Sequence, residues 1–452
     1  MTPTPLGWFG IVRLGLVQTA LGAIVVLTTS TLNRVMVVEL ALPAMLPGAL
    51  VALHYAVQVL RPRLGHGSDV GGRRTPWIVG GMVLLALGGV GAAVATAWMA
   101  THVAAGVALA IVSFLLIGIG VGSAGTTLLV LLAKRVSEHR RAAAATIVWV
   151  MMICGFIITA AGAGQLLDPF SPSRLVAVSS LVSVAAVLLT VIAVWNIETP
   201  NTSPQADDLN AQRRPQTSFR EAIAQVWSEP QARRFAIFVF VSMLAYSAQD
   251  LILEPFAGAI FGYTPGESTK LSGVQHSGVL AGMLLVALVT TVVGGRPAGS
   301  LRTWTIGGCI ASALALLSLS AAAVVGDTWP LRVSVFVLGV TNGAYAVAAI
   351  GSMMALVSDG RESREGVRMG LWGAAQAIAF GAGGFTGTLA SDVARWLIAS
   401  PAAAYATVFA AEAALFLVSA MLAGRACQPQ STGTRSELPH VAGLNAIGAS
   451  RQ

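Results

Sequence analysis

Twelve long apolar runs constrain the fold of this chain more than any other feature of its sequence. Each run holds roughly 20 residues, which is the length that a helix needs to cross the hydrocarbon core of a bilayer. Only 10% of the residues are charged, against about 25% in a soluble domain. We therefore predict an all-α membrane protein with twelve transmembrane helices, at residues 11–33, 40–61, 76–98, 103–131, 142–165, 174–195, 234–254, 271–293, 303–325, 331–356, 367–388 and 402–423.

The twelve runs form two groups of six that repeat each other at nearly one offset. His54 recurs as His276, and Glu138 recurs as Glu362 at almost the same spacing. A parallel repeat of this kind is typical of transporter folds built from two pseudo-symmetric halves. We predict an N-terminal six-helix half, a cytoplasmic linker with a short amphipathic helix, a C-terminal six-helix half and a disordered cytoplasmic tail. Their residues are 1–198, 199–231, 232–426 and 427–452.

The distribution of basic residues predicts the orientation of the chain. The net charge is +8, and 22 of the 27 Lys and Arg residues fall on the same side of the predicted membrane as the N-terminus. Cytoplasmic loops carry such an excess, so we expect both termini in the cytoplasm. Basic loops of a membrane protein meet anionic lipid, and we expect no nucleic-acid partner. No cleavable signal peptide is evident, and the three cysteines match no metal-site spacing or disulfide pattern.

The loop from Gly65 to Arg74 separates the second and third runs. Its pattern resembles the loop between helices 2 and 3 of the major facilitator superfamily. Glycines permit a tight turn there, and we expect a carboxylate at the start of the next helix, where the helix dipole favours negative charge. The Arg pair would meet the anionic membrane surface. The residues of this motif are Gly65, Asp69, Gly72, Arg73 and Arg74.

Acidic side chains are concentrated in the seventh run, beside Gln249. Tyr246, Asp250 and Glu254 are four residues apart and share one helix face. Acids within a membrane span are costly and are usually functional or paired. The alternative is that Pro255 ends the helix and leaves Glu254 in water.

An arginine at the end of the first run gives these acids a candidate partner. Arg34 precedes Glu254 by close to the repeat offset, so the two should lie at similar depth. We predict that Arg34 pairs with Asp250 or Glu254 and closes the outer end of a central cavity. In the alternative, Arg34 reaches lipid headgroups and the acids are hydrated.

Four stretches carry a closer resemblance that covers nearly the whole chain: 14–18, 249–256, 264–276 and 371–377. They resemble the PucC/LhaA family, the bacteriochlorophyll-delivery branch of the major facilitator superfamily in phototrophic bacteria. The resemblance implies assembly of light-harvesting antenna complexes in the bacterial inner membrane, cytoplasmic or intracytoplasmic. It implies bacteriochlorophyll as cargo, antenna polypeptides as partners, and pigment-synthesis enzymes as further candidate partners.

Bacteriochlorophyll holds a Mg atom that takes one axial ligand, commonly a neutral histidine nitrogen. His54 and His276 are the candidates within the runs, with Gln58 one turn from His54 on the same helix face. The alternative for each histidine is a hydrogen bond to a neighbouring helix.

Three functions stay open at this point. The chain is a pigment-delivering assembly factor, a secondary transporter of a small solute with Asp250 or Glu254 in proton coupling, or a pigment-free chaperone of antenna polypeptides. No nucleophile elbow, P-loop or metal-ligand cluster occurs, so we do not expect an enzyme.

Overall fold

A computed structural model describes residues 6–58, 74–137, 140–198, 227–292, 300–358 and 365–426, and the regular structure of these ranges is entirely helical. The helices are α1 Trp8–Glu39, α2 Met45–Val57, α3 Thr75–Met99, α4 Val103–Arg135, α5 Arg141–Leu166, α6 Pro172–Val194, α7 Pro230–Phe261, α8 Pro265–Val292, α9 Leu301–Val325, α10 Leu331–Ser358, α11 Glu365–Leu397 and α12 Pro401–Ala426.

Ten of these helices are long and apolar enough to cross a membrane. The other two are α2, with 13 residues in the described part of the chain, and α11. The all-helical membrane architecture is thus confirmed, whereas the count of twelve spans stays a prediction. The motif residues 65–73, most of the predicted linker helix and the tail from 427 lie outside the described residues.

Helix α1 continues beyond its predicted end at residue 33. Two turns of π-helix, Leu27–Thr31 and Val35–Glu39, extend it to Glu39. A π turn bonds residues five apart instead of four and so rotates the side chains that follow. Arg34 lies between the two turns and is only 2% exposed, which places this charged residue inside the bundle.

Helix α7 continues past Pro255, so the alternative in which this proline ends the helix is wrong. The helix breaks at Leu251 and Ile252 and resumes as Leu253–Phe261. Pro255 therefore occupies the first turn of a new helical segment, where its missing N–H would have had no partner within the helix. The restart keeps Glu254 in the bundle, where it is 2% exposed.

Buried apolar side chains form two main clusters. One draws on α1–α6 and adds Leu251, and the other draws on α7–α12. Two helix pairs, α2 with α11 and α5 with α8, pack across the boundary between the clusters. Glycine makes both approaches possible. A Cβ on Gly48 would collide with Thr388 Oγ1, and one on Gly164 would lie 2.7 Å from the Gly266 carbonyl oxygen.

Helix α11 also approaches α7 closely, at Gly383 and Gly387. A Cβ on Gly383 would lie 2.5 Å from the Leu244 carbonyl oxygen, and one on Gly387 would lie 2.9 Å from Ala248 Cα. Both glycines therefore bring α11 against α7. Small residues allow such backbone contact between membrane helices.

Candidate functional site

One end of the bundle, which we call the Glu39 end, gathers most of the polar contacts between the two clusters. Helices α1 and α7 end there, at Glu39 and Phe261, and α2 and α8 begin there, at Met45 and Pro265. A cavity of about 570 Å³ opens at this end, with Arg34, Glu39 and Tyr263 in its lining.

Arg34 does not form the predicted ion pair. Its guanidinium pairs with the Glu39 carboxylate and donates a second hydrogen bond to the Tyr263 carbonyl oxygen at 2.5 Å. The prediction of a partner in Asp250 or Glu254 is therefore wrong. The π turn explains the choice, because it brings a residue five positions later back over Arg34. Glu254 lies within electrostatic range of Arg34 without forming an ion pair.

The Arg34–Glu39 pair should couple strongly in a double-mutant cycle. Arg34 is buried, so removing Glu39 leaves its charge short of a partner, and we expect a coupling of about 1.5–3 kcal/mol to stability. The cycle Arg34→Ala with Glu39→Gln, read by thermal unfolding of the detergent-purified protein, measures it. Arg34→Ala with Asp250→Asn is the matched comparison, in which we expect near-additive losses. Strong coupling to Asp250 and none to Glu39 would contradict this pairing.

Hydrogen bonds between uncharged groups link α1 to α7 and α8. Asn33 Nδ2 donates to the Leu251 carbonyl oxygen at 2.6 Å, at the break in α7. The hydroxyls of Thr31 and Thr269 lie 2.9 Å apart. All three side chains are at most 1% exposed. The break in α7 therefore supplies a backbone acceptor to α1, and this hydrogen bond joins the two helices at the Glu39 end.

Two aspartates at the Glu39 end bind the first residues of helices that belong to the other cluster. Asp392, on α11, accepts from Ala44 N at 2.9 Å and from Met45 N at 2.7 Å, where α2 begins. Asp168, just after α5, accepts from Gly266 N at 3.2 Å and from Thr264 Oγ1 at 2.9 Å, where α8 begins. Carboxylates favour helix N-termini, which carry positive partial charge.

These two contacts are related by the internal repeat. Asp168 and Asp392 are separated along the chain by nearly the repeat offset. Their respective partners, Gly266 and Ala44, are separated by nearly the same offset. The sequence analysis missed both aspartates, although the repeat offset is a signal that would have paired them.

The acidic face of α7 is largely enclosed. Asp250 Oδ1 accepts from Gln275 Nε2 of α8 at 3.0 Å. Gln249 is fully buried and Glu254 nearly so, and their side-chain polar atoms have no hydrogen-bond partner. Tyr246 packs its ring 5.9 Å from that of Phe380 on α11.

A third acid, missed in the sequence analysis, belongs to the same region. Glu412 on α12 is 6% exposed, and both of its carboxylate oxygens lack a hydrogen-bond partner. It lies within electrostatic range of Asp250. A lone carboxylate in the middle of the apolar run 402–423 indicates a functional or paired residue, and it could have been recognised from the sequence.

The two candidate pigment ligands differ in the state of their ring nitrogens. At His54, Nδ1 lies 3.2 Å from the Val51 carbonyl oxygen and Nε2 lies 2.9 Å from Gln58 Nε2. A carbonyl only accepts, so Nδ1 carries the proton and the Nε2 lone pair accepts from the Gln58 amide. The Gln58 amide therefore occupies the Nε2 lone pair of His54 and does not act as a second ligand.

His276 keeps one ring nitrogen open. Its Nδ1 lies 2.8 Å from the Ser272 carbonyl oxygen, which places the proton on Nδ1 and leaves a lone pair on Nε2. The ring meets that of Phe156 on α5 edge-on, with 4.7 Å between centroids. The side chain is half-buried at the contact of α5 with α8. His54 lies elsewhere, beside Gly118 of α4 and next to Tyr55, which packs on Phe380 of α11.

Of the motif in the loop from Gly65 to Arg74, the structure describes Arg74, at the start of α3. The backbone N–H of Arg74 donates to Glu198 at 2.8 and 2.9 Å, and Thr75 donates to the same carboxylate at 2.8 Å. The helix begins at Thr75, and the Glu198 carboxylate binds its N-terminus. Asp69 lies outside the described residues. In the described part of the chain, neither Cys154 nor Cys309 takes part in a disulfide bond. Within the described ranges, no group of three or more His, Cys, Asp and Glu side chains is placed to hold a metal ion.

Residues 31–431 match the PUCC protein family. The chain is similar to the bacteriochlorophyll synthase 44.5 kDa chain of Rhodobacter capsulatus, with 52% identity over 92% of this chain and 95% of that protein. It is also similar to protein PucC of Rhodobacter capsulatus, with 30% identity over 90% of each chain.

Solved transporter structures share the fold. A bacterial homologue of the human lysosomal transporter Spinster, in an inward-facing and occupied conformation, aligns with a TM-score of 0.68 at 14% identity, over 92% of this chain and 96% of that one. A D-xylose–proton symporter aligns with a TM-score of 0.66 at 15% identity, over 91% and 96%. At these identities the likeness concerns the fold alone, which is a transporter fold. The match over residues 31–431 and the 52% identical relative place the chain in the PUCC protein family, as a multi-pass helical membrane protein.

Proposed function

We propose that this chain is an assembly factor for photosynthetic antenna complexes, which binds bacteriochlorophyll and passes it to antenna polypeptides in the membrane. Membership of the PUCC protein family carries the proposal, together with 52% identity to a protein named as a bacteriochlorophyll synthase chain. The role is non-enzymatic, because a transporter fold supplies a binding cavity and a means of moving cargo.

The architecture that suits this role has twelve spans in two six-helix halves. The twelve helices and the two apolar clusters support it. The charge distribution of the loops supports an orientation with both termini in the cytoplasm of a phototrophic bacterium, in its cytoplasmic or intracytoplasmic membrane. Basic loops would then meet anionic lipid on that side.

His276 is the ligand that we assign to the Mg of the pigment. The Ser272 carbonyl oxygen holds the Nδ1 proton at 2.8 Å, so the ring is fixed with its Nε2 lone pair available. Such a hydrogen bond to the second nitrogen orients a metal-binding histidine and sets its tautomer. Phe156 offers an aromatic edge beside it. His54 is the weaker candidate because Gln58 occupies its Nε2.

Purification from a pigment-making host tests the proposal. We expect the detergent-purified protein to carry bacteriochlorophyll near one molecule per chain, read from its absorption spectrum. A colourless protein that co-purifies with antenna polypeptides would instead support a pigment-free chaperone. A colourless protein that takes up a small solute into vesicles along a proton gradient would support a secondary transporter. Either of these outcomes would overturn pigment delivery.

A further inference from the structure

Three carboxyl groups, two of them buried and one half-buried, lie in the membrane-spanning part of the cluster formed by α7–α12. Neither pigment binding nor the contacts of the Glu39 end uses them. Asp250 and Glu254 belong to α7, and Glu412 belongs to α12. Glu254 and Glu412 are at least nine-tenths buried, and their four carboxylate oxygens have no hydrogen-bond partner.

Aromatic packing places Glu412 in the interior of the bundle. Phe409, three residues before it, meets Phe256 of α7 with 5.0 Å between ring centroids. Phe416, four residues after it, meets Tyr345 of α10 at 5.8 Å. Residues three and four apart share a helix face. Glu412 therefore faces α7 and α10 rather than lipid, within electrostatic range of Asp250.

No described cation forms an ion pair with these acids. Arg34 lies within electrostatic range of Glu254, but its guanidinium is bonded to Glu39 and to the Tyr263 carbonyl oxygen. Arg395, on α11, is paired with Asp392 at 2.7 Å, at the Glu39 end. Within the described residues, no ion pair involves Asp250, Glu254 or Glu412.

The ionisable groups next to Asp250 are not cations at neutral pH either. Tyr246 on α7 lies within electrostatic range of Asp250, and Tyr55 and Tyr345 lie within range of Tyr246. From α8, the neutral amide of Gln275 donates to Asp250. The ring of His276, one residue further along, bonds the Ser272 carbonyl oxygen. Asp250 and Glu412 are therefore surrounded by neutral groups, whereas Glu254 lies near the Arg34 guanidinium.

Ionised carboxylates are not stable in such surroundings. Moving an isolated carboxylate from water into a low-dielectric interior is so unfavourable that the group takes up a proton instead. Two neighbouring carboxylates would also repel each other, which disfavours double ionisation further. We propose that Asp250 and Glu412 form a proton-binding site inside the membrane, with Glu412 holding a proton at neutral pH.

The proton links this site to helix movement. Each carboxylate binds one proton to give a neutral acid, and the proton leaves to water when the group becomes solvated. Glu412 lies where α12 meets α7 and α10, so separation of these helices would admit water and release its proton. The site thus allows protonation to stabilise the packed arrangement, whichever cargo the protein carries.

Infrared spectroscopy of the full chain in lipid nanodiscs tests the proposal without reference to pigment. Protonated carboxylic acids give a carbonyl-stretch band that carboxylates lack. We expect this band at pH 7, and we expect a component of it to shift when the protein is made with ¹³C-carboxyl glutamate. Glu412→Gln should remove that component, whereas Asp327→Asn, which alters an exposed acid between α9 and α10, should leave the band unchanged.

A conservative variant keeps the test informative if Glu412→Gln does not fold. In Glu412→Asp, we expect that ¹³C-carboxyl glutamate no longer shifts this component of the band. We expect ¹³C-carboxyl aspartate to shift it instead. Absence of a protonated-carboxyl band in the wild-type protein at pH 7 would overturn the proposal. So would a glutamate component that persists in full in Glu412→Gln or Glu412→Asp. Pigment delivery would stand in either case, because His276 belongs to a different group of residues.

Discussion

Replacing His276 with alanine is expected to lower the bacteriochlorophyll that co-purifies with the protein at least about tenfold. Loss of an outer-shell partner alone weakens metal sites by about 10- to 100-fold, and loss of the ligand itself should cost no less. The open Nε2 of His276 is oriented by the 2.8 Å contact of Nδ1 with the Ser272 carbonyl oxygen. The measurement is the ratio of pigment to protein absorbance after purification from a pigment-making host.

Two matched variants separate ligation from general damage to the fold. His54→Ala removes a histidine at the equivalent place in the repeat, and we expect at most a small loss because Gln58 already occupies its Nε2. His102→Ala changes an exposed histidine just before α4 and should have no effect. All three variants should keep the thermal unfolding of the parent within a few degrees. Full pigment in His276→Ala, or a larger loss in His54→Ala, would contradict the assignment of His276.

Replacing Asp168 and Asp392 together with alanine is expected to open the Glu39 end. Each carboxylate accepts two hydrogen bonds at the start of a helix of the other cluster. A hydrogen bond to a charged group contributes about 1.5–3 kcal/mol. Loss of even one such contribution at each aspartate would shift the ratio of closed to open protein by roughly ten- to a hundredfold per site.

Cysteine labelling reads this opening directly. Thr31→Cys places a thiol where the side chain is 1% exposed and hydrogen-bonded to Thr269. In detergent-purified protein, we expect a maleimide to label it at least about tenfold faster in the double variant than in the parent. Each single variant should give an intermediate rate. Asp327→Ala, at an exposed acid of the same end, is the control. Labelling in the double variant as slow as in that control would show that the aspartates do not hold this end closed.

The helices were predictable because long apolar runs have few other solutions in a bilayer. The ends of the helices were less predictable, and α1 and α7 show why. Arg34, Glu39 and Glu254 are charged residues that indicate water in a sequence, yet Arg34 and Glu254 are only 2% exposed. Local backbone features keep them inside: a π turn brings Glu39 to Arg34, and α7 restarts before Pro255. No sequence pattern described above predicts the π turn in α1 or the restart of α7.

The candidate site was predicted in part. The concentration of acids on α7 is real, but its third member, Glu412, comes from α12, far along the chain, and only packing brings it near Asp250. The repeat made His54 and His276 equivalent, whereas the local partner Gln58 makes them chemically different. Asp168 and Asp392 escaped notice because a carboxylate bound to the start of another helix leaves no pattern within its own helix.

Deleting the gene and recording the absorption spectrum of whole membranes tests the role in antenna assembly most directly. We expect the antenna bands to be lost or strongly reduced in the deletion strain, and to return when the wild-type chain is supplied in trans. His276→Ala supplied in the same way should restore them less well than His54→Ala. Antenna bands of unchanged height in the deletion strain would contradict the proposed role in antenna assembly.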